Sequence, residues 1–434
     1  MDWLRLAEWG KSIIDRTHKC YDIVNSIDNW NDDTVRSYIN ESFSNQVSYC
    51  YNHIPYYQKL FIDSGLNPGD FTDISLISKI PVLTKDKVRA NYDSLRSDEI
   101  NSTYFQTRRS GGTTGEPIKS LISKKEAAFE TFSYFKGLRW MGLRSDMTFV
   151  KLLGGSLGTG GGRSIRQTVY EYATNTINLP AFELSPDTIQ TFYDAIKLKK
   201  NICLLGYSSA VNIMAQLLKE KVLNLNNVEL VITTSEQLNE DWKMTIQSFF
   251  NCEVRSYYGC GEVLSLGYQL RGGDESYRIP KEHVHIESDP ETHELYITQL
   301  HNKAQPLIRY AVGDLGIISE NEKWKIEKLI GREADLFTKR NGTQISHSFA
   351  AHSILKSGIP VKKYQYIQYL DFVIEFRYQM ESGELDSAQK NVIKNMVNNI
   401  MGEETQIVFN ETDNFLTSLA GKYRIAVKVP SQYN

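Results

Sequence analysis

The chain lacks several features that would define its class at once. Its five cysteines are odd in number and widely scattered, with no Cys-x-x-Cys pair, so neither a disulfide framework nor a zinc knuckle is indicated. No apolar run reaches the ~18 residues that a membrane span needs. Residues 1–19 contain acidic side chains and no uninterrupted apolar core of the kind found in a signal peptide. We therefore expect a cytoplasmic protein without membrane insertion.

An excess of positive charge is also absent. The chain has 49 Lys and Arg against 52 Asp and Glu, a formal net charge of -3, which gives no reason to expect a nucleic-acid partner. With 434 residues, 41% of them hydrophobic, it can bury a sizeable core. At about 150 residues per domain, this length predicts roughly two or three domains.

One loop stands out for what it does contain. Residues 108–117, Arg-Arg-Ser-Gly-Gly-Thr-Thr-Gly-Glu-Pro, combine three glycines with three hydroxyl side chains. Glycines let backbone N–H groups surround an oxyanion and hydroxyls add donors, so the loop is interpreted either as a phosphate site or as an ordinary turn. Glu116-Pro117 stands where a Walker loop needs Lys-Ser/Thr, which disfavours a P-loop NTPase. Residues 158–163 and 259–264 each lack the third glycine of a dinucleotide fingerprint.

The middle of the chain alternates between strand and helix patterns. Short apolar runs at 202–205 and 230–233 predict buried strands, and helical patterns occupy 185–197, 209–219 and 239–250. This alternation predicts a mostly parallel sheet covered by helices.

A hydrolase is a competing hypothesis from the same region. Residues 154–158 satisfy the G-x-S-x-G nucleophile elbow around Ser156, and residues 206–210 come close to it around Ser208. The elbow needs a helix directly after the serine, whereas glycines follow Ser156. Tyr207 and Ser208 lack the closing glycine, and they are interpreted as lining a pocket at the carboxyl edge of the sheet.

Five further side chains suggest a ligand site when they are taken together. Tyr258 offers a face for a base, Glu262 a carboxylate for a metal ion, and Asp314 a partner for two adjacent hydroxyls. Arg332 is a fixed cation suited to a phosphate, and Lys422 follows a glycine near the C-terminus as a point charge for an anion. Each of them, taken singly, also has an ordinary interpretation as a buried aromatic or a solvated charge.

In this order the segments resemble the adenylate-forming (AMP-binding, acyl-activating) superfamily. The resemblance is specifically to the phenylacetate–CoA ligase branch and its capsular-polysaccharide-biosynthesis, CapK-like relatives. It extends over nearly the whole chain through residues 51–57, 81–85, 110–117, 235–237, 258–262, 309–314, 331–332 and 421–422. Each motif alone is weak, but the last six of these segments in the right order make a coincidence improbable.

The resemblance implies roles for individual residues. The residues that would hold the phosphates of ATP are Ser110, Gly111, Gly112, Thr113, Thr114, Gly115 and Arg332. Those that would border the adenosine are Ser235, Glu236, Gln237, Tyr258, Gly259 and, at the ribose, Asp314. Those that would line the acyl substrate are Tyr207, Ser208 and Gly261. Glu262 would hold Mg²⁺, and Lys422 would bridge the carboxylate and the α-phosphate as the catalytic lysine.

The resemblance also implies an architecture and a reaction. We expect a large N-terminal α/β domain, 1–330, for ATP and the acyl substrate, and a small mobile α+β C-terminal lid, 331–434, carrying Lys422. The implied enzyme is an ATP- and Mg²⁺-dependent ligase that forms an acyl-adenylate and pyrophosphate from a small carboxylic acid. It then transfers the acyl group to an acceptor, either the thiol of coenzyme A or the amine or hydroxyl of an amine or sugar.

Two alternatives stay open. One is a capsule- or exopolysaccharide-pathway adenylating enzyme that forms an amide or ester without CoA. The other is a non-catalytic ATP/AMP-binding protein, against which Lys422 and Glu262 count, because a binder needs neither residue.

Overall fold

The structure is a computed structural model whose residues form two compact units. It describes the chain with the exception of residues 1–7, 9–10, 14–15, 110–117, 154–170, 172–173, 182–183, 185, 236–237, 239, 320–321, 323, 332–335, 341–343, 347–358, 381, 403–404, 417–425 and 430–434. The division between the units falls between Ile330 and Gly331. The assignment of ATP and acyl binding to the first unit and of the catalytic lysine to the second stays a prediction.

The helices of the larger unit lie before, between and after its strands. They are α1 (His18–Ser26), α2 (Asp32–His53), α3 (Pro55–Asp63), α4 (Lys85–Ala90), α5 (Ile100–Thr103), α6 (Lys124–Met141), α7 (Ile189–Ile196), α8 (Ser208–Glu220) and α9 (Glu240–Phe250). Short 3₁₀ turns occupy Ile27–Asn29, Pro68–Asp70 and Ile74–Lys79.

The strands of this unit form a hairpin and one large sheet. They are β1 (Tyr104–Arg109), β2 (Lys119–Ser123), β3 (Thr148–Leu153), β4 (Thr176–Pro180), β5 (Ile202–Tyr207), β6 (Val228–Thr234), β7 (Glu253–Tyr258), β8 (Gly267–Gln269), β9 (Tyr277–Arg278), β10 (Val284–Ser288), β11 (Glu294–Gln299), β12 (Tyr310–Ile318) and β13 (Lys325–Gly331). The hairpin pairs β1 with β2, so Arg109 and Lys119 face each other on either side of residues 110–117.

In the described part of the chain, the large sheet has eleven strands in the order β10-β11-β12-β13-β9-β8-β7-β6-β5-β3-β4. Strands β4, β3, β5, β6 and β7 pair in parallel. Beyond β7, the pairs β7–β8, β8–β9 and β9–β13 are antiparallel, as are β10–β11 and β11–β12. The predicted α/β class is thereby confirmed, and its parallel part is the region in which the sequence alternates between strands and helices.

Burial explains strand β5, and the residues at the two ends of helix α6 explain its bounds. Every residue of β5 is buried, as expected of a parallel strand that is covered on both faces. Helix α6 begins after Ser123, whose hydroxyl accepts a hydrogen bond from the Glu126 backbone N–H at 3.4 Å. It ends at Gly142, whose φ of +109° lies in the left-handed region that favours glycine.

The smaller unit has its own sheet, helix and core. Its elements are β14 (Leu336–Thr338), β15 (Gln344–Ser346), β16 (Val361–Tyr369), β17 (Ile374–Met380), α10 (Ser387–Met401), β18 (Ile407–Glu411) and β19 (Ala426–Val429). Strands β16 to β19 form one sheet in the order β18-β17-β16-β19. Asp386 and Gln389 form a capping box at the start of α10. The core of this unit includes Tyr366 and Phe376, both fully buried.

Among the residues described, no helix combines the length and the apolar character that crossing a bilayer requires.

We predict that Gly137→Ala destabilises the larger unit. A Cβ added to Gly137 would lie 2.3 Å from the ring of Tyr268, which is fully buried. Alanine normally favours a helix, but this overlap forces the ring or the helix to move at a cost of about 1–3 kcal/mol. Urea unfolding measures the loss. Gly69→Ala is the control, because a Cβ there meets only the Asn67 side chain at 3.4 Å. Equal stability of the two variants would contradict the prediction.

Candidate active site

The carboxyl ends of three neighbouring strands lie level at one edge of the large sheet. Tyr207 at the end of β5 pairs with Thr234 of β6, which pairs with Tyr257 of β7. The residues that follow each strand therefore come close together along this edge, where ligands of open α/β sheets bind. Ser208 and Ser235 directly follow Tyr207 and Thr234 in the sequence.

Three of the predicted site residues, Tyr207, Ser208 and Ser235, lie at or directly after these strand ends. Tyr207 and Ser208 are 5% and 0% exposed, at the junction of β5 and α8. Ser235 is exposed and has a φ of +66°, a left-handed conformation that is uncommon for a residue with a side chain.

Tyr258 and Asp314 meet across the sheet. Tyr258 is the last residue of β7, and its hydroxyl donates a hydrogen bond to Asp314 Oδ2 at 2.9 Å. Tyr258 is 7% exposed, and its ring packs edge-on against Tyr277 at 6.4 Å between centroids. The bond connects two side chains that the sequence assigned to the base and to the ribose of one nucleotide.

Glu262 has a partner that the sequence analysis did not identify. The hydroxyl of Tyr310, the first residue of β12, donates a hydrogen bond to Glu262 Oε1 at 2.7 Å. Tyr310 is fully buried and Glu262 is 3% exposed. A charge-assisted bond of this kind compensates part of the cost of burying a carboxylate and fixes its direction. Tyr310 lies in the segment 309–314 that carried the resemblance, but nothing in its spacing indicates Glu262 as its partner.

A short turn carries Gly259 and Gly261 between Tyr258 and Glu262. The Cys260 N–H donates to the Val263 carbonyl at 3.1 Å, and the Leu266 N–H donates to the Tyr258 carbonyl at 3.1 Å. A Cβ on Gly259 would lie 2.8 Å from the Tyr257 hydroxyl, so the turn has no space for a side chain there. Burial, followed by the nearby Glu262, raises the pKa of the Cys260 thiol well above its usual value.

Lys85 is a further cation beside these side chains. Leu83 forms an isolated parallel bridge with Tyr310, so the segment before α4 lies along the start of β12. Lys85 Nζ comes within 3.9 Å of the position that a Cβ on Gly313 would occupy, next to Asp314 in the sequence. Gly313 has a φ of +78°, a second reason for glycine at this position.

Several predicted site residues lie outside the part of the chain that the structure describes. They are Ser110, Gly111, Gly112, Thr113, Thr114, Gly115, Glu236, Gln237, Arg332, Lys422 and the elbow serine Ser156. Their roles stay predictions.

The described side chains are compatible with a Mg²⁺ ion that is bound by one protein carboxylate and otherwise by substrate phosphates and water. They contain no group of three or more His, Cys, Asp or Glu side chains that could form a metal cage of their own. Mg²⁺ in nucleotide sites is typically bound by one or two carboxylates together with substrate phosphates and water. Glu262, oriented by Tyr310, would supply one such carboxylate.

Comparisons with known proteins find relatives along nearly the whole chain. It is 22% identical over 421 residues to protein CapK of Staphylococcus aureus, across 89% of this chain and 88% of CapK. It is 20% identical over 401 residues to the phenylacetate-coenzyme A ligase of Pseudomonas putida, across 86% of this chain and 90% of that enzyme. No protein-family model matches the chain.

The fold is also that of a solved ligase. A crystal structure of 2-hydroxyisobutyryl-CoA ligase in complex with 2-HIB-AMP and CoA aligns with a TM-score of 0.60 and 16% sequence identity. The alignment covers 92% of this chain and 91% of that one.

The chain has the fold of the adenylate-forming ligases and is similar to ligases of that class over most of its length. Within that class, the chain is similar to the phenylacetate–CoA ligases and to CapK. The resemblance predicted from the sequence is confirmed, and so is the predicted enzyme class. The relatives support a reaction of the acyl-CoA ligase type.

We predict that Tyr310→Phe lowers the stability of the larger unit by about 1.5–3 kcal/mol, because it removes the hydrogen bond to the buried Glu262 carboxylate. Urea unfolding measures this loss. Tyr296→Phe is the matched control, since Tyr296 donates an equivalent bond at 3.1 Å to Asp289, a carboxylate in a surface turn. We expect a smaller loss for the control, and an equal loss in the two variants would refute a special role for the Glu262 bond.

Proposed function

We propose that this protein uses ATP to activate a carboxylic acid as an acyl-adenylate, releasing pyrophosphate, and transfers the acyl group to the thiol of coenzyme A. The observation that carries the proposal is the pair of tyrosine-bound carboxylates: Asp314 on β12 accepts from Tyr258 at the end of β7, and Glu262 after β7 accepts from Tyr310 at the start of β12. The similarity to a phenylacetate-coenzyme A ligase over 86% of the chain supports it.

The first half-reaction brings two anions together. A carboxylate oxygen attacks the α-phosphorus of ATP, the bond from that phosphorus to the bridging oxygen breaks, and pyrophosphate leaves with the electron pair. Positive charge and N–H donors must stabilise the transition state. We assign this role to residues 110–115, Arg332 and Lys422. A preorganised donor of this kind typically lowers a barrier by ~3–4 kcal/mol.

The described side chains would orient the nucleotide. Asp314 would accept hydrogen bonds from the ribose hydroxyls, while Tyr258, Gly259 and residues 235–237 would border the adenine. Glu262 would hold Mg²⁺, which neutralises phosphate charge when bound. Tyr207, Ser208 and Gly261 would line the acyl group at the edge of the sheet.

The second half-reaction transfers the acyl group. The acceptor thiol loses its proton to solvent, its sulfur attacks the carbonyl carbon, the bond to the phosphate oxygen breaks, and AMP leaves. We propose that the unit beginning at Gly331 acts as a mobile lid, with Lys422 serving only the first half-reaction. A lid whose protease sensitivity does not respond to ATP plus acid would count against this motion.

A second acceptor chemistry has its own support. The similarity to CapK covers 89% of this chain, slightly more than the similarity to the Pseudomonas ligase. The name CapK specifies no acceptor, so amide or ester formation on an amine or sugar stays the alternative that the sequence resemblance implies.

The adenylation step is tested by acid-dependent exchange between pyrophosphate and ATP. We expect exchange with at least one member of a panel of aryl, fatty and sugar acids. Lys422→Ala should reduce it by about 10²–10³-fold, because a positioned cation is lost. Lys428→Ala is the control, since Lys428 lies on β19 of the same unit and bonds only Thr338 at 2.8 Å among its described contacts. Exchange absent with every acid, or unchanged by Lys422→Ala, would refute the assigned mechanism.

The acceptor is tested in the same mixtures. After acid, ATP and Mg²⁺ are mixed, CoA, amines or sugars are added and the products are identified by mass spectrometry. A CoA thioester supports the first acceptor and an amide or ester supports the second.

A further inference from the structure

Glu130 is a buried carboxylate beside the proposed site that the assigned reaction does not use. It lies on α6, is 1% exposed, and forms an ion pair with Arg108 of β1. Arg108 is 14% exposed at its side chain and lies two residues before residue 110. The pair therefore fixes the strand that leads into the Gly-rich loop.

The same residue also binds the segment that follows Glu262. Glu130 Oε1 accepts a hydrogen bond from the Leu264 N–H at 3.1 Å. The Glu130 backbone carbonyl accepts a second bond from the Ser265 hydroxyl at 3.0 Å. Glu130 thus contacts both the entry to the Gly-rich loop and the end of the turn that presents Glu262.

The geometry of Ser265 indicates that this turn is held under constraint. Its φ is +62°, a left-handed conformation that residues with a side chain seldom adopt. Its N–H donates to the Tyr257 hydroxyl at 3.3 Å, and its carbonyl lies 3.2 Å from His283 Nε2. Such a conformation persists when the surrounding contacts over-determine it, and strained residues of this kind cluster at functional sites.

We propose that Glu130 is a positioning residue for adenylation, which holds Arg108 and the turn after Glu262 in a fixed relation through one buried carboxylate. The inference rests on the proposed function, in which residues 110–115 and Glu262 act on the same phosphates. Groups that stabilise one transition state must be held within about 0.5 Å of their productive positions. Glu130 connects two such segments that are remote in the sequence.

A purely structural ion pair is the competing explanation, and the chain contains a matched example. Arg139, also on α6, forms an ion pair with Glu8 at 2.7 Å. Its side chain is 14% exposed, as is that of Arg108, and that of Glu8 is 4% exposed. Arg139→Met therefore reproduces the loss of a buried pair without altering the proposed site.

Kinetics of pyrophosphate exchange test the proposal with Glu130→Gln, Arg108→Met, the double variant and Arg139→Met. We expect each single change at the Glu130 pair to lower kcat at least about tenfold, and the double variant to be no slower than the slower single variant, because paired residues act as a unit. Arg139→Met should lower the thermal midpoint comparably while changing kcat less than about twofold. Equal kinetic losses in the two pairs would overturn the proposal.

A conservative variant and an amide hydrogen-exchange measurement separate a positioning role from a general loss of stability. Glu130→Asp retains the charge but withdraws the carboxylate by one methylene, so we expect a folded protein with an intermediate kcat, and a wild-type kcat would contradict the proposal. Amide hydrogen exchange of residues 257–266 needs no turnover, and we expect faster exchange there in Glu130→Gln than in Arg139→Met. Wild-type protein without pyrophosphate exchange would refute the proposed function, whereas unchanged protection of these amides would refute the positioning role.

Discussion

The level ends of the parallel strands β5, β6 and β7 are the constraint on which the described site depends. Parallel pairing places Tyr207, Thr234 and Tyr257 side by side, so every segment that leaves these strands emerges at one edge. The antiparallel extension of the sheet then brings β12 within reach of the same edge. Hydrogen bonds from two tyrosines across this region determine where the carboxylates of Glu262 and Asp314 point.

The sequence predicted the elements of the fold better than the contacts between them. The apolar runs at 202–205 and 230–233 lie inside β5 and β6, because a buried parallel strand requires such a run. The antiparallel strands β8 and β9 were not predicted, since they have only three and two residues. The bond from Tyr310 to Glu262 was not predictable either, because periodicity shows which face a residue occupies and not which distant residue it meets.

The charged side chains of helix α6 also have a burial and partners that the sequence does not predict. Glu126, Glu130 and Lys136 would ordinarily be assigned to a solvated face, yet they are 0%, 1% and 4% exposed. Their partners come from elsewhere in the chain: Glu130 pairs with Arg108, and Lys136 bonds Glu282 at 2.7 Å. Each partner compensates a charge that would otherwise be costly to bury, so the helix depends on residues that its own sequence does not reveal.

The thiol of Cys260 has a consequence for any enzyme that makes a reactive acyl intermediate. A cysteine next to an activated acyl group can capture it, and the resulting self-acylation would inactivate the protein. Only the thiolate is an effective nucleophile, and burial beside Glu262 keeps the Cys260 thiol protonated by raising its pKa. Burial of the turn, more than any charge beside it, therefore protects the protein from its own product.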